Sequence, residues 1–429
     1  MKFQPPKGTK DLLSEEMIRR QYVIETIKNI FEAYGFGPLE TPVFEKLKVL
    51  EAKCGKDVRE QIYKFEDKAG RKLGLKFDLT VPLARIIANN PQLPKPLKTY
   101  QISKVWRYEE VTRARKREFL QADIDIIGSS NMEADVECVA CAVDCLKALG
   151  FKDFEIRIND RKVLDGVLEL IKVEKEKNLD IFRVIDKLER IGKNSVKEEL
   201  QRIDLEENKI KSLMEIITVK GNYKKILNRC KKLLNGIEIG EEGLKELEKI
   251  FERGKLFRIS NMVLDFSLAR GLDYYTGPIF EIIVKTKKEI GSIAGGGRYN
   301  NLIELLGGRP TPATGISLGM ERIIEITKTD KFFDLPKTKI KVFVANVDEK
   351  VKSETIKIAQ KLRKEGISCQ MGLMNRNLTK QLEFADSLGV PYTLIVGEKE
   401  LKEKKFKLKD MEKKTEKKIK LDKIIKLLK

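Results

Sequence analysis

The stretch from Lys104 to Gly128 constrains the fold more than any other part of this sequence. It reads as two strands joined by a basic loop holding Arg113, Arg115, Lys116 and Arg117. Successive side chains of a strand point to opposite faces. Arg107 and Glu109 therefore share one face of the first strand, and Phe119, Gln121 and Asp125 share one face of the second. Leu120, Ala122, Ile124 and Ile126 fall on the opposite, core face. Asp is disfavoured in strands, and burying a carboxylate is costly unless it finds a partner. A functional floor explains that polar face better than a solvent-facing antiparallel sheet does. The loop that joins the strands has the charge to hold phosphate.

Four further segments carry polar side chains in unusual company. Lys76–Pro82 is expected to be a strand with Asp78 and Thr80 on one face, Phe77 and Leu79 on the other, and Pro82 stopping an edge. Ala269–Gly277 sets Arg270 and Asp273 beside the adjacent tyrosines Tyr274 and Tyr275. Ala294–Tyr299 contains three consecutive glycines, which would let a ligand approach the backbone closely. Gly315–Arg322 reads as a strand turning into a helix, with Arg322 near the helix start.

Several chemistries are excluded. The 429 residues include no histidine, so Ser-His-Asp and Cys-His nucleophile systems, HExxH zinc sites and imidazole proton shuttles are all absent. Gly315-Ile316-Ser317-Leu318-Gly319 matches the GxSxG nucleophile elbow in letters, yet no imidazole exists to activate Ser317. No GxxxxGK[ST] occurs, so any ATP must be held by arginines on a sheet rather than by a P-loop. Cys138, Cys141 and Cys145 form a CxxCxxxC run. That run admits a metal or iron–sulfur reading, but the spacing puts the thiols on one helix face among Ala and Val, as buried core cysteines.

No apolar run approaches the ~18 residues a membrane helix needs, so no membrane association is expected. Met1–Pro6 carries no apolar signal region, which makes the cytoplasm the default location. The net charge of +20 favours a polyanionic partner. A Lys- and Glu-rich chain from a hot or AT-rich organism would show the same excess.

The chain has length for two or three domains. A helix is expected over Glu15–Tyr34, capped by Ser14 and closed by Gly35, followed by an extended Gly37–Val43. Strands around a central polar site occupy 75–128, and the cysteine-bearing helix 131–149. Residues 162–258 turn rich in Leu, Ile, Lys and Glu at helical spacing, which marks a helical insertion. Strand-like, Gly-rich sequence returns from about 262 to 325. After Pro336, strand and helix alternate in a small α/β domain. Its last segment, Lys399–Lys429, holds 14 Lys against 6 Asp or Glu, for a local +8. The expected domains are thus 1–161, 162–258, 259–330 and 338–429, of which the first and third form one catalytic body.

Taken in order, these pieces resemble histidyl-tRNA synthetases of class II over nearly the whole chain, from Pro6-Lys7-Gly8-Thr9-Lys10-Asp11 to the tail. The helix ending at Tyr34 and the strand with Pro42 look like motif 1, Arg107-Tyr108-Glu109 with the basic loop and Phe119 like motif 2, and Gly319-Met320-Glu321-Arg322 like motif 3. Arg270–Tyr275 and Ala294–Tyr299 look like the two peptides diagnostic of the histidine enzymes, and Asp78-Leu79-Thr80 like their archaeal and eukaryotic branch. The resemblance implies an α+β fold: a class II antiparallel sheet flanked by helices, a helical insertion, and a C-terminal α/β anticodon-binding domain.

It further implies ATP with Mg²⁺, L-histidine, tRNA(His) and a second copy of the chain as partners. Arg107 would meet the α-phosphate, Glu109 the adenine end, Phe119 the adenine face, and Arg115 and Arg322 the outer phosphates. Asp78, Thr80 and Gln121 would hold the α-amino group. Asp125 and Tyr275 would take the imidazole, with Tyr274 nearby. Arg270 would lie between carboxylate and α-phosphate. Thr112, Arg113 and Arg117 would face tRNA, as would Arg376 in Asn375–Leu382. Thr112 stands where many bacterial relatives have a Gln, and Asp125 is shorter than their Glu.

Two non-catalytic relatives compete with this reading. One is the regulatory partner of a phosphoribosyltransferase of histidine biosynthesis, which lacks the C-terminal domain that residues 338–429 resemble. The other is a sensor of uncharged tRNA, which intact Arg107, Arg270 and Arg322 argue against.

Overall fold

The computed structural model describes residues 3–52, 55–112, 115–269 and 274–429. Arg113, Arg270 and Asp273 lie outside the described residues. Two compact units are present, one made mostly of residues 23–332 and one mostly of 333–429.

The larger unit is built on an eight-stranded mixed sheet. Its six long strands, Leu97–Trp106, Glu118–Ile127, Ala313–Gly319, Ser292–Arg298, Pro278–Val284 and Phe154–Asp160, pair antiparallel in that spatial order. Short parallel strands, Gly37–Pro38 and Met262–Leu264, close the two edges. The helix Met132–Ala148 packs on three of the central strands. Cys138, Cys141 and Cys145 are buried in its apolar face, as their spacing predicts. The helix Ser14–Ala33 ends where expected: Gly35 takes a positive φ of 78°, and the Phe36 N–H closes on the Phe31 carbonyl.

One local expectation fails. Lys76–Pro82 is not a strand: the strand Lys72–Leu75 stops before it, and a helix spans Thr80–Asn89. Asp78 caps that helix by accepting from the Val81 N–H at 3.1 Å. Pro82 sits in the first turn, where an absent N–H costs nothing. A proline after alternating residues therefore marked a helix start, not a strand edge.

Between the strands Phe154–Asp160 and Met262–Leu264 the chain is helical, from Arg161–Leu170 through Glu238–Leu256. These two end helices of the segment cross closely because Gly166 and Gly243 leave out side chains. A Cβ on Gly166 would lie 2.5 Å from the Gly240 Cα, and one on Gly243 would lie 2.8 Å from the Val163 nitrogen.

The smaller unit carries a five-stranded sheet in the order Cys369–Met371, Val342–Asn346, Tyr392–Val396, Phe406–Asp410, Thr415–Ile419. The first pairings are parallel and the last two antiparallel. Helices Lys352–Lys364 and Leu421–Leu428 contribute to one apolar cluster and Leu378–Ser387 to another.

Candidate active site

The polar face of the central strands lines a cavity of about 520 Å³. Its floor comes from the strand Glu118–Ile127, whose alternation sends Phe119, Gln121, Asp123 and Asp125 into the cavity. Asp78 and Thr80 reach the same cavity from the start of the helix Thr80–Asn89. Tyr274, Tyr275, Tyr299 and the edge of the Gly-rich strand form a further wall. Arg107, Glu109, Arg115 and Arg322 line it as well.

One part of this lining is basic. Arg107 lies just past the strand Leu97–Trp106, with its Nε donating to the Phe77 carbonyl at 2.9 Å. Its guanidinium is 5.2 Å from the centroid of Phe119, and its Nη1 is 3.9 Å from Glu109 Oε1. Arg115 approaches the other oxygen of Glu109 at 3.7 Å. Arg322 donates to the Ser292 carbonyl from the first turn of the helix Met320–Thr329. A flat ring beside several guanidinium groups suits a purine with phosphates attached.

The remainder is acidic. Asp78, Asp123 and Asp125 are all nearly excluded from solvent. Burial pushes the Asp78 carboxyl up to about 6 and the Asp125 carboxyl up to about 7. Asp123 is raised well above the ordinary range, first by burial and then by the charge of Asp125. Tyr274 donates to Asp78 Oδ2 at 3.3 Å, and Tyr299 donates to Asp125 Oδ1 at 2.5 Å. Gln121 Nε2 donates to Ser317 Oγ at 2.7 Å. Buried acceptors grouped in this way suit a small ligand with cationic or N–H donor groups.

The glycines do not open space for a ligand at every position. A Cβ on Gly296 would lie 2.0 Å from the Gly315 carbonyl oxygen, so protein backbone already fills that room. Gly315, the cross-strand neighbour of Asp125, leaves room for that carboxylate: a Cβ there would sit 2.1 Å from Asp125 Oδ1.

Of the residues singled out from sequence, Asp78, Thr80, Arg107, Glu109, Arg115, Phe119, Gln121, Asp125, Tyr274, Tyr275 and Arg322 meet in one cavity. Arg107 and Glu109 do so from beyond the strand end rather than from a strand face. Thr112 is exposed in the loop, its N–H bonded to the Arg115 carbonyl. Arg117 stacks 3.9 Å from the centroid of Tyr108 and donates to the Glu109 carbonyl, bracing the loop. Arg376 belongs to the smaller unit, 5.0 Å from the ring centroid of Phe384.

Sequence reasoning passed over Asp123, which the same alternation assigns to the floor. It set Ser317 aside as a false elbow and gave Tyr299 no role. Arg183, Asp186, Lys187 and Arg190 of the helical segment also line the cavity, and nothing in their spacing announced it.

A mixed sheet, antiparallel at its centre, that gathers arginines, a stacking ring and buried carboxylates in one cavity is the catalytic core of a class II aminoacyl-tRNA synthetase, and the C-terminal α/β unit is separate from it. The family model for histidyl-tRNA synthetase matches residues 8–323, and that for the anticodon binding domain matches 341–429. The chain belongs to the histidyl-tRNA synthetase family, in its archaeal and eukaryotic-like branch.

A histidine–tRNA ligase of Pyrococcus furiosus is 37% identical over 425 residues, covering 99% of this chain and 98% of that protein. One of Aeropyrum pernix is 41% identical over 400 residues, covering 92% and 91%. The crystal structure of histidyl-tRNA synthetase from Nostoc sp. superposes with a TM-score of 0.85 at 30% identity, covering 100% of this chain and 99% of that one.

Proposed function

We propose that this cavity binds histidine over its carboxylate floor and ATP against Phe119 and the arginines. The observation that carries the reading is the meeting of those two opposite chemistries in one cavity. The activity is ATP-dependent formation of histidyl-adenylate followed by charging of tRNA(His).

The first step needs no histidine side chain in the protein. The substrate carboxylate is ionised at neutral pH and attacks the α-phosphorus without a general base. What the chain must supply is alignment and positive charge at phosphorus. Arg107 is aimed by its bond to the Phe77 carbonyl and serves the α-phosphate. Phe119 stacks on adenine, Glu109 faces the adenine end, and Arg115 and Arg322 hold the outer phosphates. Asp78, Thr80 and Gln121 take the α-amino group. Asp125 takes the imidazole beside Tyr274 and Tyr275, with Tyr299 holding its other side. Arg270 is assigned to the carboxylate and α-phosphate.

Among the described residues no group of three or more His, Cys, Asp or Glu is gathered to hold a metal. Magnesium carried in on ATP keeps waters and takes one or two carboxylates together with substrate phosphates. Glu281 and Glu321, which line the cavity, would hold it. Bound there, it would neutralise phosphate charge.

Thr112, Arg113 and Arg117 of the loop and Arg376 of the C-terminal unit are assigned to tRNA. A second copy of the chain is assigned to the face where Phe44 and Phe65 are exposed with ring centroids 6.1 Å apart, since contiguous apolar surface marks an interface. No helix among the described residues is long and apolar enough to cross a membrane. The reaction belongs with tRNA and ribosomes, in the cytoplasm. The direct test is charging: labelled histidine should accumulate on a tRNA(His) transcript and not on transcripts for other amino acids. Equal labelling of all transcripts, or of none, would refute the assignment.

A further inference from the structure

Asp123 has no part in the reaction as set out above, yet it occupies the centre of the floor. It lies two residues from both Gln121 and Asp125 on the cavity face of Glu118–Ile127, and it is 3% exposed. Its cross-strand neighbours are Gln101 on one side and Ser317 on the other. Gln101 is already committed: its Nε2 donates to the Leu79 carbonyl at 3.1 Å, and its Oε1 accepts from Thr41 at 3.4 Å. The Ser317 hydroxyl accepts from Gln121 and has one proton left for Asp123. Oδ1 of Asp123 then has no hydrogen-bond partner among the described residues, and neither does Oε1 of Gln121.

The charges around Asp123 come from several elements. Asp125 on its own strand and Asp78 at the helix start repel it, while Arg107 and Lys76 attract it. Lys76 is fully buried and places Nζ 3.1 Å from the Thr41 carbonyl and 3.2 Å from its hydroxyl. The protein thus leaves a buried carboxylate oxygen unpartnered on a residue that lines the cavity, an arrangement that is costly unless a ligand completes it.

We propose that Asp123 is a ligand of the α-ammonium group of bound histidine and so a specificity-determining residue, one that selects the amino acid over its deaminated analogue. This rests on the histidine reading above. An ammonium group offers three N–H donors. Beside Asp78, Thr80 and Gln121, already assigned to that group, the lining holds Oδ1 of Asp123, a carboxylate oxygen that no donor among the described residues satisfies. Along the strand Asp123 is about 7 Å from Asp125, at ~3.3 Å per residue, which separates the ammonium from the imidazole subsite.

The test uses the full chain carrying Asp123→Asn, which keeps shape and removes charge, with Asp123→Ser as a second variant should the first fail to fold. Two probes are titrated by calorimetry. Histidinol keeps the ammonium and imidazole; imidazolepropionate keeps the imidazole and carboxylate but has no ammonium. Histidinol should bind at least about tenfold more weakly to the variant, and imidazolepropionate should change by less than about twofold, as expected for loss of one charged hydrogen bond. In pyrophosphate exchange the KM for histidine should rise and that for ATP should not. Unchanged histidinol binding, or equal weakening of both probes, overturns the proposal. If the unaltered protein binds no histidinol and activates no histidine, the histidine reading itself has failed and the proposal goes with it.

Discussion

Asp78 and Asp125 carry carboxyls pushed up to about 6 and about 7, because both lie almost wholly out of water. A carboxyl raised in the folded state favours folding at low pH and loses that advantage as pH climbs through its folded value. The ligand-free protein should therefore lose stability from about pH 4 to about pH 7, and Asp125→Asn should flatten that slope. Thermal unfolding across this range checks it; an unaltered slope in the variant would contradict it. Tyr299 holds the same carboxylate through its hydroxyl. Tyr299→Phe removes the donor, so the KM for histidine should rise about tenfold, the usual cost of an unmatched buried charge, with the KM for ATP unchanged. Steady-state exchange kinetics read both constants.

Strand pairing decides where these side chains point, and here the sequence was only partly legible. The alternation in Glu118–Ile127 foretold the cavity floor, because period-2 patterning maps directly onto the two faces of a strand. Asp78 and Thr80 also reached the site, but from a helix start that alternation over a few residues could not distinguish from a strand. Arg183 and Lys187 were invisible as site residues, since only packing of the helical segment brings them to the cavity. The glycines of Ala294–Tyr299 were read as space for ligand, whereas backbone already fills the room beside Gly296, and Gly315, read only as part of a strand, makes space for Asp125. Gly315→Ala would put a Cβ 2.1 Å from Asp125 Oδ1 and 2.7 Å from the Ile124 carbonyl. It should lower histidine activation by at least about tenfold, the scale of a displaced polar ligand. Activation matching the parent would show that the carboxylate tolerates the crowding.

Across the whole molecule, activation is assigned to the larger unit alone, and tRNA to both: to Thr112, Arg113 and Arg117 in the larger unit and to Arg376 in the smaller. Arg376→Ala should raise the KM for tRNA and reduce the salt dependence of tRNA binding, because each phosphate contact releases counterions, while pyrophosphate exchange stays at the parent rate. A fall in exchange would mean that Arg376 serves the catalytic unit. The most direct test of the central claim is amino-acid-dependent exchange of pyrophosphate into ATP, run with each of the twenty amino acids on the parent protein and on Arg107→Ala. Histidine alone should support exchange, and the variant should lose about a hundredfold or more, the scale of removing one preorganised charge from a phosphorus centre. Exchange with another amino acid, or undiminished exchange in the variant, would contradict the account.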